Sequence, residues 1–203
     1  MICTTIQNKS LDEIWAILES GDVEMAEIRL DRCPLTADEI EELFSSSDVP
    51  LVATCRIAEV RKRMEREMKG VESPDEVHTR QHSDDRKLDT KAVQEAEARL
   101  ITAIHSGAAF ADLEIEAPPM MSKRLRRETR ENGTVFVRSY HDFIGTDSVE
   151  ALKALTEKCF AIGADIAKIV TTAVPEAAGA SVARVLSLYD YFDPAKLIAF
   201  AMG

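Results

Sequence analysis

Lys168 lies within Ile166-Ala167-Lys168-Ile169-Val170, so its amine is set among apolar neighbours. Loss of water disfavours the charged form of such a group, and a neutral amine attacks a carbonyl carbon to form an imine. In Ser139-Tyr140-His141-Asp142-Phe143, two-residue alternation puts Ser139 and His141 on one side of a strand. An imidazole titrates near neutrality and can both take and return a proton. Glu27, Arg29 and Asp31 share a face in the same way. Arg56 closes Thr54-Cys55-Arg56, and Glu114 sits in Asp112-Leu113-Glu114-Ile115-Glu116. Each of these also has a bland reading: a rim charge in a structural ion pair, a hydrogen-bonded histidine, or a packed lysine stem with its head in water. Their recurrence at the ends of successive strands favours chemistry.

The elements that must position them alternate regularly. Strands are expected at Met1–Gln7, Met25–Asp31, Pro50–Arg56, Phe110–Glu116, Thr134–Phe143, Asp165–Ala173 and Lys196–Gly203. Several are almost continuously apolar, as parallel strands covered on both faces are. Helices fit between them. Ser10 caps one carrying Leu11, Ile14, Trp15 and Leu18 and ending by Gly21, and Thr36 opens a capping box before Ile40, Leu43 and Phe44. Further helices are expected at about Thr90–Ser106, Pro119–Glu131, Ser148–Ile162 and Pro175–Leu188. Strict β-α order with short connections gives right-handed crossovers and a parallel sheet, and seven repeats favour a TIM-type (β/α) barrel. Active sites of such barrels gather where strands finish. Ala58–Leu88 breaks the rhythm with dense charge, and reads as a helical or loop excursion facing solvent. Within it, Glu59/Arg63 and Arg61/Glu65 stand at i,i+4, and Ser73-Pro74-Asp75-Glu76 signals a second helix start.

The whole chain, 203 residues with 45% hydrophobic and 30% charged, suits one α/β domain over residues 1–203. A formal net charge of -11 opposes binding to nucleic acid or anionic membrane, while leaving room for arginines around a small anionic substrate. Neither a G-x-G-x-x-G after the first strand nor a P-loop pattern is present. Cys3, Cys33, Cys55 and Cys159 form no C-x-x-C pair and read as reduced thiols of a cytoplasmic protein. No run approaches a membrane span. His78 and His82, at i,i+4 near Asp84 and Asp85, lack further metal-ligand spacing, so no metal is expected. The basic residues of Arg61–Arg66 are interleaved with glutamates and read as a solvated helix face.

Glu27-x-Arg29-x-Asp31, Thr54-x-Arg56, Asp112-x-Glu114, Ser139-x-His141-Asp142-Phe143 and Asp165-Ile166-x-Lys168-Ile169 together, in this order, resemble the type I 3-dehydroquinate dehydratases. The likeness runs nearly to Ala201-Met202-Gly203. It implies a (β/α)8 barrel, commonly dimeric and so compatible with a homodimer here. It also implies a shikimate-pathway hydro-lyase that needs no metal or organic cofactor and converts 3-dehydroquinate to 3-dehydroshikimate. On this resemblance Lys168 forms the Schiff base and His141 is the general acid and base. Glu27, Arg29, Arg56 and Thr5 hold substrate, with Glu114, Ser139 and Met202 in support.

Two departures stand beside the resemblance. The family follows Thr-x-Arg with an acidic residue and a Gly-Gly pair, whereas Arg56 leads into Ile57-Ala58-Glu59-Val60. The family also continues past Met-Gly with an eighth strand, a last helix and an Ala-Pro-Gly-Gln loop. A C-terminally incomplete barrel with open first and seventh edges is therefore expected, with poor stability and little turnover if the chain stops there. Other readings remain open: a class I aldolase or transaldolase, which also carries a lysine on strand six, or a non-catalytic barrel fragment that only binds a ligand or partner.

Overall fold

Strand and helix alternate throughout a computed structural model of the chain, which describes residues 2–69 and 82–203. The strands are β1 (Cys3–Ile6), β2 (Met25–Arg29), β3 (Leu51–Thr54), β4 (Phe110–Glu114), β5 (Val135–His141), β6 (Ile166–Thr172) and β7 (Leu197–Met202), and their order in the sheet is their order in the sequence. The helices are α1 (Leu11–Leu18), α2 (Ala37–Ser46), α3 (Ile57–Lys69), α4 (His82–His105), α5 (Pro119–Asn132), α6 (Val149–Ala161) and α7 (Ala178–Leu186). The chain divides into two compact units, one of residues 1–111 and 117–134, the other of residues 112–116 and 135–203.

In the first unit β1, β2 and β3 pair in parallel, with Thr5 beside Glu27 and Arg29 beside Thr54. Both capping boxes form: Ser10 accepts from the Glu13 amide, Thr36 from the Glu39 amide, and each glutamate reaches back to its cap. Helix α4 begins well before Thr90. Its buried stripe, Leu88, Ala92, Ala96, Leu100 and Ile104, recurs every four residues, and Leu88 extends it one turn further back.

Where it is described, the charged segment takes the helical of its two expected forms, and part of it packs inward. Residues 57–69 form regular helix, Val60 is fully buried, and α3 is tied to α4 by Arg61–Asp89 at 2.6 Å and by an Arg63–Glu95 pair. Arg61–Glu65 forms at 3.1 Å, but Glu59 turns to Arg32 and Lys62, and Arg63 to Glu95 and Glu67. An exposed i,i+4 pair is worth only a few tenths of a kcal/mol, so small differences in geometry decide which partner each side chain takes. The Ser73–Glu76 helix start and the His78 half of the histidine pair lie outside the described residues.

In the second unit β5, β6 and β7 pair in parallel. One face of these strands packs Ala167, Ile169, Leu197 and Ala199 against Leu152 and Cys159 of α6 and Val185 of α7. The segment expected as one helix over Pro175–Leu188 is broken into a 3-10 turn at Pro175–Ala177, α7, and a second 3-10 turn at Ser187–Asp190. All seven strands are shorter than expected, so Asp31 and Arg56 stand just past β2 and β3.

Candidate active site

Register decides which side chains of the second unit meet. Ser139 lies beside Lys168 across the β5–β6 pair, and His141 beside Val170. Side chains of parallel partners project to the same side and alternate along each strand, so Lys168, Ser139 and His141 share one face. Across β6–β7 that face continues with Ile198, Phe200 and Met202. His141 is thus one diagonal step from Lys168, and its ring stacks on Phe143 with centroids 5.9 Å apart.

The amine is not surrounded by hydrocarbon alone, as the sequence suggested. Lys168 Nζ donates to Asp112 Oδ2 at 3.0 Å, and Ser139 Oγ donates to Asp112 Oδ1 at 2.5 Å. The Lys168 side chain is 15% exposed and that of Asp112 only 1%. A buried carboxylate at this range favours the ammonium, opposing the effect of lost hydration. Asp112 stood in the quoted strand-four motif without a role. Alternation marks its face, but only register shows that it meets Lys168. Glu114, two residues on, is half-buried, and its main-chain carbonyl accepts from Arg138. Arg138 lies on the opposite, helix-facing side of β5, fully buried, where desolvation lowers its guanidinium below the ordinary value.

The first unit carries a separate polar set. Glu27 accepts from Thr5 Oγ1 at 3.1 Å and from Thr54 Oγ1 at 2.7 Å, one hydroxyl on each carboxylate oxygen. Arg29 forms a two-pronged pair with Asp31, at 3.0 and 2.6 Å. Burial alone would lower the Arg29 guanidinium. The hydrogen bonds and charge of Asp31 outweigh burial and the repulsion from Arg56, and leave it raised. Arg56 follows Thr54, the register partner of Arg29, by two residues. Thr54 was visible only as part of Thr-x-Arg, and its hydrogen bond to Glu27 was not foreseen. Among the described residues no group of three or more His, Cys, Asp or Glu could hold a metal ion.

These are the elements and connections of an α/β protein of the (β/α)-barrel type. The solved structure of 3-dehydroquinate dehydratase from Enterococcus faecalis superposes with a TM-score of 0.70 over 99% of this chain and 78% of that one, at 20% identity, a likeness of fold. In sequence, the family model of type I 3-dehydroquinase matches residues 2–203, and the chain belongs to that family. A 3-dehydroquinate dehydratase of Desulfotalea psychrophila is 37% identical over 108 residues, 52% of this chain and 46% of that relative. One from Methanosarcina mazei is 24% identical over 209 residues, covering all of this chain and 75% of the relative. The chain thus spans less than half the length of the first of these relatives and three quarters of the second.

Proposed function

We propose that this chain carries the dehydration of 3-dehydroquinate to 3-dehydroshikimate through an imine on Lys168. The observation that carries the reading is the shared face of Lys168 and His141 on adjacent strands of a chain in the type I 3-dehydroquinase family. The amine of Lys168 adds to the ketone, and loss of water leaves a protonated imine. That cation draws electrons from the neighbouring carbon–hydrogen bond, and His141 takes the released proton. The imidazolium then protonates the departing hydroxyl, which leaves as water, and hydrolysis of the imine frees the conjugated enone and Lys168. On the family resemblance, Glu27, Arg29 and Arg56 hold the substrate's hydroxyl and carboxylate groups, with Thr5 beside Glu27, and Glu114, Ser139 and Met202 in support. A homodimer in the cytoplasm is the setting this reading carries with it. Among the described residues no helix is long and apolar enough to cross a membrane.

Borohydride reduction in the presence of 3-dehydroquinate, followed by peptide mass mapping, tests the reading. The expected result is one reduced adduct on Lys168, absent from Lys168→Ala. An adduct on any other residue overturns the assignment. Release of an aldehyde in place of the ultraviolet-absorbing enone turns the reaction into that of an aldolase.

A further inference from the structure

Asp112 has the position of a group that handles the charge of the reacting nitrogen. Its side chain is almost wholly buried, and a carboxylate taken out of water persists only where hydrogen bonds and a countercharge compensate its lost hydration. Here one oxygen receives the Ser139 hydroxyl and the other the Lys168 ammonium. Ser139 is fully buried and lies beside Lys168 in the strand register, so the backbone holds these two together and their side-chain hydrogen bonds join Asp112 to both.

We infer that Asp112 is the counter-ion and proton carrier of Lys168, with Ser139 as the positioning residue that turns its second oxygen toward the amine. This rests on the imine reading above. Asp112 takes one proton from the ammonium, leaving a neutral amine whose lone pair adds to the ketone carbon. The carbonyl electron pair moves to oxygen, which receives a second proton from nitrogen, giving a carbinolamine. Asp112 returns its proton to that hydroxyl, the carbon–oxygen bond breaks, water leaves, and nitrogen becomes a cationic imine beside the restored carboxylate. A fixed anion beside the developing cation favours the protonated imine, the form that acidifies the substrate carbon. The same pair gives a lysine facing a buried carboxylate a route to its nucleophilic form without first releasing a proton to bulk water.

The experiment follows borohydride trapping of 3-dehydroquinate on Lys168 against pH, in the full chain and in Asp112→Asn and Ser139→Ala, with circular dichroism to verify folding. In the unsubstituted chain trapping declines at alkaline pH as the imine loses its proton. Asp112→Asn is expected to move that decline about one pH unit or more toward acid and to slow trapping at neutrality about a hundredfold, as loss of a positioned acid or base does. Ser139→Ala keeps the charge but frees its orientation. The same shift in smaller measure, with about tenfold slower trapping, is expected, the loss of one hydrogen bond to a charged group. If Asp112→Asn does not fold, the Ser139→Ala profile carries the test. An unchanged profile in the folded variants, with the adduct still on Lys168, overturns the role of Asp112 and leaves the imine reading standing. An unsubstituted chain that gives no adduct on Lys168 overturns the imine reading itself.

Discussion

Glu27 illustrates how a single side chain is made ready to bind. A carboxylate at a half-buried strand position is free to rotate unless donors fix both oxygens, and here Thr5 and Thr54 each supply one hydroxyl. Thr54 is fully buried, so its hydroxyl has no water to turn to when the bond is broken. Thr54→Val keeps the shape and removes the donor. Its expected cost is about 1.5 kcal/mol of stability, the range for hydrogen bonds to charged groups, together with roughly tenfold weaker binding of 3-dehydroquinate. Thr54→Ser, which retains the hydroxyl, should recover most of the binding. Urea midpoints and calorimetric titration check both, and equal binding by the valine variant would show that Glu27 needs no such grip. The residue types at this site were legible in the sequence because alternation along one strand is local. Their partners were not, since Thr54 meets Glu27, and Asp112 meets Lys168, only through register between strands distant in the chain.

At the scale of elements, the helix starts marked by capping boxes were legible because each box is written in four consecutive residues. Ser10 with Glu13 and Thr36 with Glu39 close both boxes, and each glutamate is held below its ordinary value. For Glu13 the main cause is the hydrogen bond from Lys9, followed by the Ser10 amide; for Glu39 it is the Thr36 amide. The sign follows from the depression. The contribution of each box is complete above the unfolded value of 4.5 and is lost as pH falls through the lower folded value. A Glu13→Gln, Glu39→Gln double variant should therefore melt below the unsubstituted chain at neutral pH. The gap should close as pH falls below 4.5 and both carboxylates take up protons, read by thermal scans through the acid range. A gap that stays constant over the range would show that the carboxylates contribute no charge-dependent capping. Helix lengths were harder to read. The early start of α4 depends on Leu88 finding a buried place, and the break at Ala177–Ala178 interrupts a run whose composition alone suits a helix. Tertiary packing settled both, and a periodicity read from one segment has no access to the neighbour it packs against.

For the molecule as a whole, the cysteines offer a readout of both compact units at once. Cys3 is exposed, while Cys33 and Cys55 in the first unit and Cys159 in the second are buried, and none of the four is in a disulfide. A thiol reacts through its thiolate, so burial protects twice, by blocking access and by holding the proton on sulfur. The effect is plainest at Cys159, which desolvation pushes up to about 12 despite the neighbouring Arg138. Brief treatment of the native chain with a maleimide should therefore add one label, mapped to Cys3, and treatment in denaturant should add four. At denaturant concentrations below the transition, slow labelling of Cys33 and Cys55 reports opening of the first unit, and of Cys159 opening of the second. Rapid labelling of Cys159 in the native state would mean that the helix-facing core of Leu152, Ile169 and Val185 opens far more readily than its burial implies. That core backs the strand bearing Lys168, so its opening would also loosen the amine from Asp112, and the label would then count the fraction of molecules whose site is unmade.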